Sequence, residues 1–133
     1  MEFELDPRLA ADTIFVADWS LSRVCLMNDA RYPWIILVPR RASLVEIFDL
    51  SPDEQAALMV ETAHVAKALK ALTGAAKMNI GALGNVVPQL HMHIVARKAG
   101  DYAWPGPIWG KGETVPYDPA ARDAFVGQLV NAL

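Results

Sequence analysis

One cysteine in 133 residues cannot close a disulfide within the chain, so a covalent scaffold is excluded. No apolar run approaches the roughly 18 residues of a membrane span. The N-terminal stretch MEFELDPRLA is acidic and lacks a long apolar core, which argues against a signal peptide. Cationic charge is scarce as well. With 12 Lys+Arg against 15 Asp+Glu, the net charge of −3 disfavours bulk electrostatic binding to nucleic acid or to an anionic membrane, while leaving a local phosphate site open. No Gly-Lys-Ser/Thr follows a glycine-rich run, so there is no Walker-type phosphate loop. The expectation is a cytoplasmic protein without membrane or nucleic-acid partners. Cys25, inside the apolar run RVCLM, is expected to be a buried core thiol.

What is present is apolar residue, 53% of the chain, enough for one domain over residues 1–133 with a real core. DTIFVADWS, SRVCLMN and YPWIILVPR are short runs rich in β-branched and aromatic residues and read as an antiparallel meander of strands. LSPDEQAALMVETAHVAKALKALTG is the clearest helix. Ser51 is a natural N-cap, Pro52 suits the first turn, Glu54 completes a capping box, and Gly74 is a stop. KMNIGALGNVVPQ reads as a strand broken by glycines and then a turn, and QLHMHIVAR as the next strand. KAGDYAWPGPIWGKGETVPYD, within residues 98–118, has no clear period, and so long a loop is usually functional or interfacial. Asp118-Pro119 caps a short C-terminal helix. The predicted class is α+β: a mostly antiparallel sheet with one long helix packed on it and a short C-terminal helix.

Histidine is rare, at three residues, yet two of them fall in VPQLHMHIVAR. Strand alternation puts Gln89, His91, His93, Val95 and Arg97 on one face and Leu90, Met92, Ile94 and Ala96 on the other. The second face is wholly apolar and belongs in the core. The first offers two imidazoles and an amide where a solvated face would carry Thr, Lys or Glu. Neutral imidazole is a competent nucleophile toward phosphorus. A His-x-His pair can also bind a transition metal if further ligands join it. A half-buried polar strand without chemistry is the third reading.

GNVVPQLHMHIVARKAGD, Gly84 to Asp101, resembles the signature of the histidine-triad (HIT) superfamily, His-φ-His-φ-His-φ-φ with φ apolar. The second and third histidines match at His91 and His93, and every φ position is apolar. The first position is Gln89. Upstream, LMNDARYPWIILVPRR and the helix start DLSPDEQAAL extend the likeness, which covers roughly residues 12 to 110. The resemblance implies an antiparallel sheet with a long helix, a homodimer, and nucleotidyl transfer or hydrolysis at an α-phosphate. It implies His91 as the nucleophile, His93 at the phosphate, and Gln89 as the residue that orders the site by hydrogen bonding. An amide can donate and accept but cannot titrate. A second departure is Trp34, where the family often has a further histidine.

Among other positions, the resemblance suggests Asn28 for the ribose and Asn79 and Asn85 for the phosphates, although turn chemistry accounts for each equally well. Arg97 shares the parity of the histidines and could neutralise phosphate or lie solvated. Trp104 and Trp109 could line a nucleotide cleft or cover a dimer interface, Trp104 being counted with the substrate-binding residues. His64 reads as structural and Arg40-Arg41 as surface charge. The expected activity releases a nucleoside monophosphate from a dinucleoside polyphosphate, a phosphoramidate or a similar adduct. It requires no metal cofactor, although a divalent ion could assist with a polyphosphate. The alternatives are a nucleotide-binding or sensing module with little turnover, and a metal-binding protein using His91 and His93.

Overall fold

A computed structural model of the protein describes residues 2–133. Five strands form one antiparallel sheet: β1 (Thr13–Asp18), β2 (Ser22–Met27), β3 (Trp34–Pro39), β4 (Lys77–Gly81) and β5 (Met92–Arg97), in the spatial order β1-β2-β3-β5-β4. β1 and β2 are a hairpin closed by Trp19 N–H on the Ser22 carbonyl at 2.9 Å. The long connection after β3 crosses the sheet, so that β5 inserts between β3 and β4.

Three α-helices accompany the sheet among the described residues: α1 (Pro7–Asp12), α2 (Pro52–Thr73) and α3 (Pro119–Ala132). α2 forms where the capping box places it. The Ser51 hydroxyl accepts from Glu54 N–H at 3.2 Å and the Glu54 carboxylate accepts from Ser51 N–H at 3.1 Å. It ends at Gly74, whose φ of 68° is the left-handed conformation that a residue without Cβ adopts at no steric cost. Leu58, Thr62, Val65 and Leu69 are its buried stripe. α1 was not among the expected elements. The Asp6-Pro7 pair that starts it carries the same signal as Asp118-Pro119, with the Asp6 carboxylate accepting from Arg8 N–H at 2.8 Å.

The sheet is covered on both sides. On one side Val24, Leu26, Ile35, Leu37, Met92 and Ile94 pack against α2 and α3 in the main core. On the other, Cys25, Trp34, Ile36, Val38 and Val95 lie beneath Leu9, Ala103 and Ile108, with Phe3, Leu5 and Trp109 at the margin. The expected parity of β5 therefore stands: Met92, Ile94 and Ala96 enter the first core, while His93, Val95 and Arg97 face the second layer. One expectation needs correction. β5 begins at Met92, so Gln89 and His91 precede the ladder rather than sitting in it. The histidine face is closed from solvent, because the N-terminal segment and the 98–118 segment roof it. Each buried Leu, Ile or Phe on these faces contributes roughly 1.5–3 kcal/mol, so the roof is part of the fold and not an appendage. No helix among the described residues is long and apolar enough to cross a membrane.

Candidate active site

The two histidines are set by different neighbours. His91 donates Nδ1–H to the main-chain carbonyl of Gln89 at 2.6 Å. A carbonyl oxygen can only accept, so the proton is on Nδ1, and in neutral His91 the Nε2 lone pair is free. His93 is held the other way round. In the ladder His93 lies opposite Ile36, and Trp34 is its diagonal neighbour on the same face. The Trp34 indole donates Nε1–H to His93 Nδ1 at 3.1 Å, so in neutral His93 the proton is on Nε2. The two rings meet edge to face, with centroids 4.6 Å apart, and Trp109 packs edge-on to His93 at 5.4 Å. Both histidines are nearly buried, at 5% and 4% exposure. Burial, and secondarily the proximity of His91, pushes His93 down to about 3, so it is neutral at physiological pH.

A groove of about 310 Å³ reaches His91 from the side of the loops. One wall is Val45, Ile47 and Phe48, and the other is Ala82, Leu83 and Gly84. Glu46 is its one charged lining residue, and no lysine or arginine lines it. Gly84 has a φ of 65°, and a Cβ there would come within 3.3 Å of the Val87 carbonyl, so this turn beside the site favours glycine.

Gln89 orders His91 through its main chain. Its side chain points elsewhere, with Oε1 accepting from Asp6 N–H and Nε2 donating to the Glu4 carbonyl, both at 2.8 Å. The amide thus clamps the N-terminal segment that roofs the sheet. Arg97 is not solvated and not free for phosphate. It is 1% exposed, with Nε and Nη2 on the Asp101 carboxylate at 2.8 and 2.9 Å and Nη1 on Asn79 Oδ1 at 2.8 Å. That network also occupies Asn79. Trp104 belongs to the same end of the strand, its ring 5.6 Å from the Arg97 guanidinium, so of the two tryptophans in the 98–118 segment it is Trp109 that lies at the histidines. Asn28 Oδ1 accepts from Tyr117 N–H at 3.0 Å and holds the segment before α3. Asn85 is exposed in the turn after Gly84. His64, on the far face of α2, sits with Nε2 3.2 Å from the Leu133 carbonyl oxygen. Among the described residues no three His, Cys, Asp or Glu side chains gather in a way that could hold a metal ion.

Comparison with known proteins places this arrangement. The model of the HIT domain matches residues 8–100, well over half of the chain. The chain belongs to the HIT family. It is 49% identical to a histidine triad protein from Sinorhizobium meliloti, covering 98% of this chain and 97% of that one with a TM-score of 0.96. A histidine triad protein from Marinobacter aquaeolei is 44% identical, covering 100% and 97%, with a TM-score of 0.98. A hypothetical histidine triad nucleotide-binding protein from Sulfolobus tokodaii shares the fold alone, at 15% identity over 90% of this chain and 83% of that one, with a TM-score of 0.69. None of the curated proteins matches.

Proposed function

We propose that this HIT protein is a nucleotide-binding hydrolase or transferase that works at an α-phosphate through a nucleotidyl-histidine on His91. The observation that carries the reading is the opposite tautomers of the pair. His91 Nε2 holds a lone pair, and His93 Nε2 holds a proton. In the proposed step His91 Nε2 attacks the α-phosphorus in line, and the bond to the leaving group breaks as the leaving group takes up a proton from solvent. His93 Nε2–H donates to a phosphoryl oxygen as charge builds on it. Water then attacks the phosphorus, the P–N bond breaks, and the nucleoside monophosphate and free imidazole are restored. Family membership supports the nucleotide as substrate.

The groove beside His91 favours one of the expected substrate types. A polyphosphate leaving group would carry several negative charges into a cleft whose only charged lining residue is Glu46. A nucleoside phosphoramidate with an uncharged or cationic amine meets no such penalty. The test is mass spectrometry of the intact chain mixed with a nucleoside phosphoramidate and quenched early. A nucleotidyl adduct mapped to His91 is expected, and turnover without one would overturn the reading. The burial of both rings favours, as a second reading, a binding module with little turnover. Tight nucleotide binding without an adduct would select it.

We further propose a symmetric homodimer in the cytoplasm. β4 is an edge strand, and Ile80, Leu83 and Val86, in and just after it, are 48%, 49% and 77% exposed. Light scattering at micromolar concentration should give twice the chain mass, and a monomer there would reject the proposal.

A further inference from the structure

Trp34 stands where the family often has a histidine, and the two side chains are not equivalent. A histidine can donate, accept or titrate. An indole N–H can only donate. Trp34 is 8% exposed and its single polar atom faces His93 Nδ1 at 3.1 Å. A proton on Nδ1 would set two N–H groups against each other and leave the indole N–H buried without an acceptor. Both the other neutral tautomer and the imidazolium are disfavoured by that one contact. The surroundings add nothing to oppose it. The titratable group facing His93 is His91, whose ring centroid is 4.6 Å away, and Trp109 supplies the other aromatic contact at 5.4 Å. No carboxylate hydrogen-bonds either nitrogen of His93.

We infer that Trp34 is a positioning residue that locks His93 as the neutral Nε2–H tautomer, so that His93 serves as a fixed hydrogen-bond donor and not as a cationic acid. The catalytic part of this inference rests on the reading of His91 as the nucleophile; the tautomer does not. A donor aimed at a phosphoryl oxygen is useful only if its proton is always on the nitrogen that faces the substrate. A histidine at position 34 would allow the proton of His93 to move between its nitrogens. The tryptophan removes that freedom, and it also removes any contribution of His93 to proton delivery, so the leaving group must find its proton elsewhere.

The experiment is imidazole 15N NMR on the full chain, in wild type and Trp34→Phe, between about pH 8 and pH 5. The wild type should show His93 with an unprotonated Nδ1 and a protonated Nε2 throughout, with no titration. Trp34→Phe keeps an aromatic ring and loses the donor. Its His93 should average between the two neutral tautomers, still without titrating because its burial and His91 are unchanged, while His91 keeps its Nδ1–H signature. On a nucleoside phosphoramidate its kcat should fall on the order of tenfold or more with KM little changed. A wild-type His93 protonated on Nδ1, or titrating near neutrality, would overturn the inference. So would a Trp34→Phe variant with unchanged His93 signals and unchanged kcat. If the variant fails to fold, the wild-type spectrum decides alone. If wild type forms no adduct on His91, the proposed function falls while the spectra still decide the tautomer.

Discussion

The two ends of β5 carry polar side chains on the same face, and they are built on opposite plans. At the Arg97 end every guanidinium nitrogen has a partner in Asp101 or Asn79, and Tyr32 and Trp104 lie over the group at 5.6 Å each. A neighbouring pair, Arg31 and the fully buried Asp29, repeats the arrangement at 2.8 Å. At the histidine end there is no ion pair. Each ring spends one nitrogen on a protein partner and leaves Nε2 uncommitted. A buried polar group with all its valences filled stabilises the fold and can do nothing else. One with a valence left over, next to a groove, is ready for a ligand. The difference is therefore in charge pairing and in what the guanidinium and the imidazoles leave uncommitted, not in burial.

The largest effect should come from breaking the histidine end. His91→Asn keeps a hydrogen-bonding side chain of similar reach but supplies no nucleophilic nitrogen. Turnover of a nucleoside phosphoramidate should drop by about a thousandfold or more, with nucleotide affinity within about tenfold, some 1.4 kcal/mol. Steady-state kinetics and calorimetric binding check both, and a wild-type rate would put the chemistry elsewhere. Breaking the other end should do the converse. Asp101→Ala leaves Arg97 charged and buried with Asn79 alone, and a broken buried pair costs about 3–5 kcal/mol. Urea unfolding should show that loss, while the folded fraction keeps its kcat. A variant of full stability would mean that solvent reaches the arginine.

Acid should separate the two ends in order. The unfolded histidine binds its proton near 6.5, and folded His93 only at about 3. Between those values the unfolded chain holds a proton that the folded chain lacks, so stability is full above the upper value and falls as pH drops through the window, by on the order of a few kcal/mol. Asp101 follows later. Its hydrogen bonds from Arg97 hold its carboxyl below the ordinary 3.8, so its contribution is present above that value and is lost only below it. Stability measured from about pH 7 down to pH 5 should slope in wild type and flatten in His93→Gln. Equal slopes would show that His93 is not the group responsible.

Much of this could be read from the chain, because the signals were local. The capping box at Ser51, the Asp-Pro start of α3 and the alternation of Met92, Ile94 and Ala96 each involve residues a few positions apart, and the fold followed from them. The site was legible as far as the paired histidines, and no further. Parity put Arg97 beside them without revealing Asn79, whose pairing depends on β4 lying next to β5. It gave no sign that Asn28 would be taken by Tyr117, 89 residues along the chain. Trp34 was visible as a departure, but its donor role needed the register that sets it diagonal to His93. Trp109 and Trp104 differ only in which end of the strand the 98–118 segment lays them over, and composition carries no such information.

The smallest effect should come from the residue that looked most out of place. In the family pattern the first position is a histidine, and the simplest reading makes its side chain part of the site. Here the Gln89 carbonyl orients His91, and every residue type has a carbonyl. The side-chain amide instead joins Asp6 N–H and the Glu4 carbonyl, and with them the strand of chain that roofs the histidine face. Gln89→Ala should therefore leave His91 protonated on Nδ1 and kcat within a few fold, while weakening the clamp by about 1–2 kcal/mol for the two lost hydrogen bonds. Hydrogen exchange at Asp6 should quicken, because that amide loses its acceptor. Gln89→His should likewise keep its rate, since it preserves the carbonyl. If Gln89→Ala instead lost turnover as His91→Asn does, the amide would have a part in the chemistry that its present partners do not show, and the contrast between the two ends of β5 would have to be redrawn with Gln89 on the reactive side.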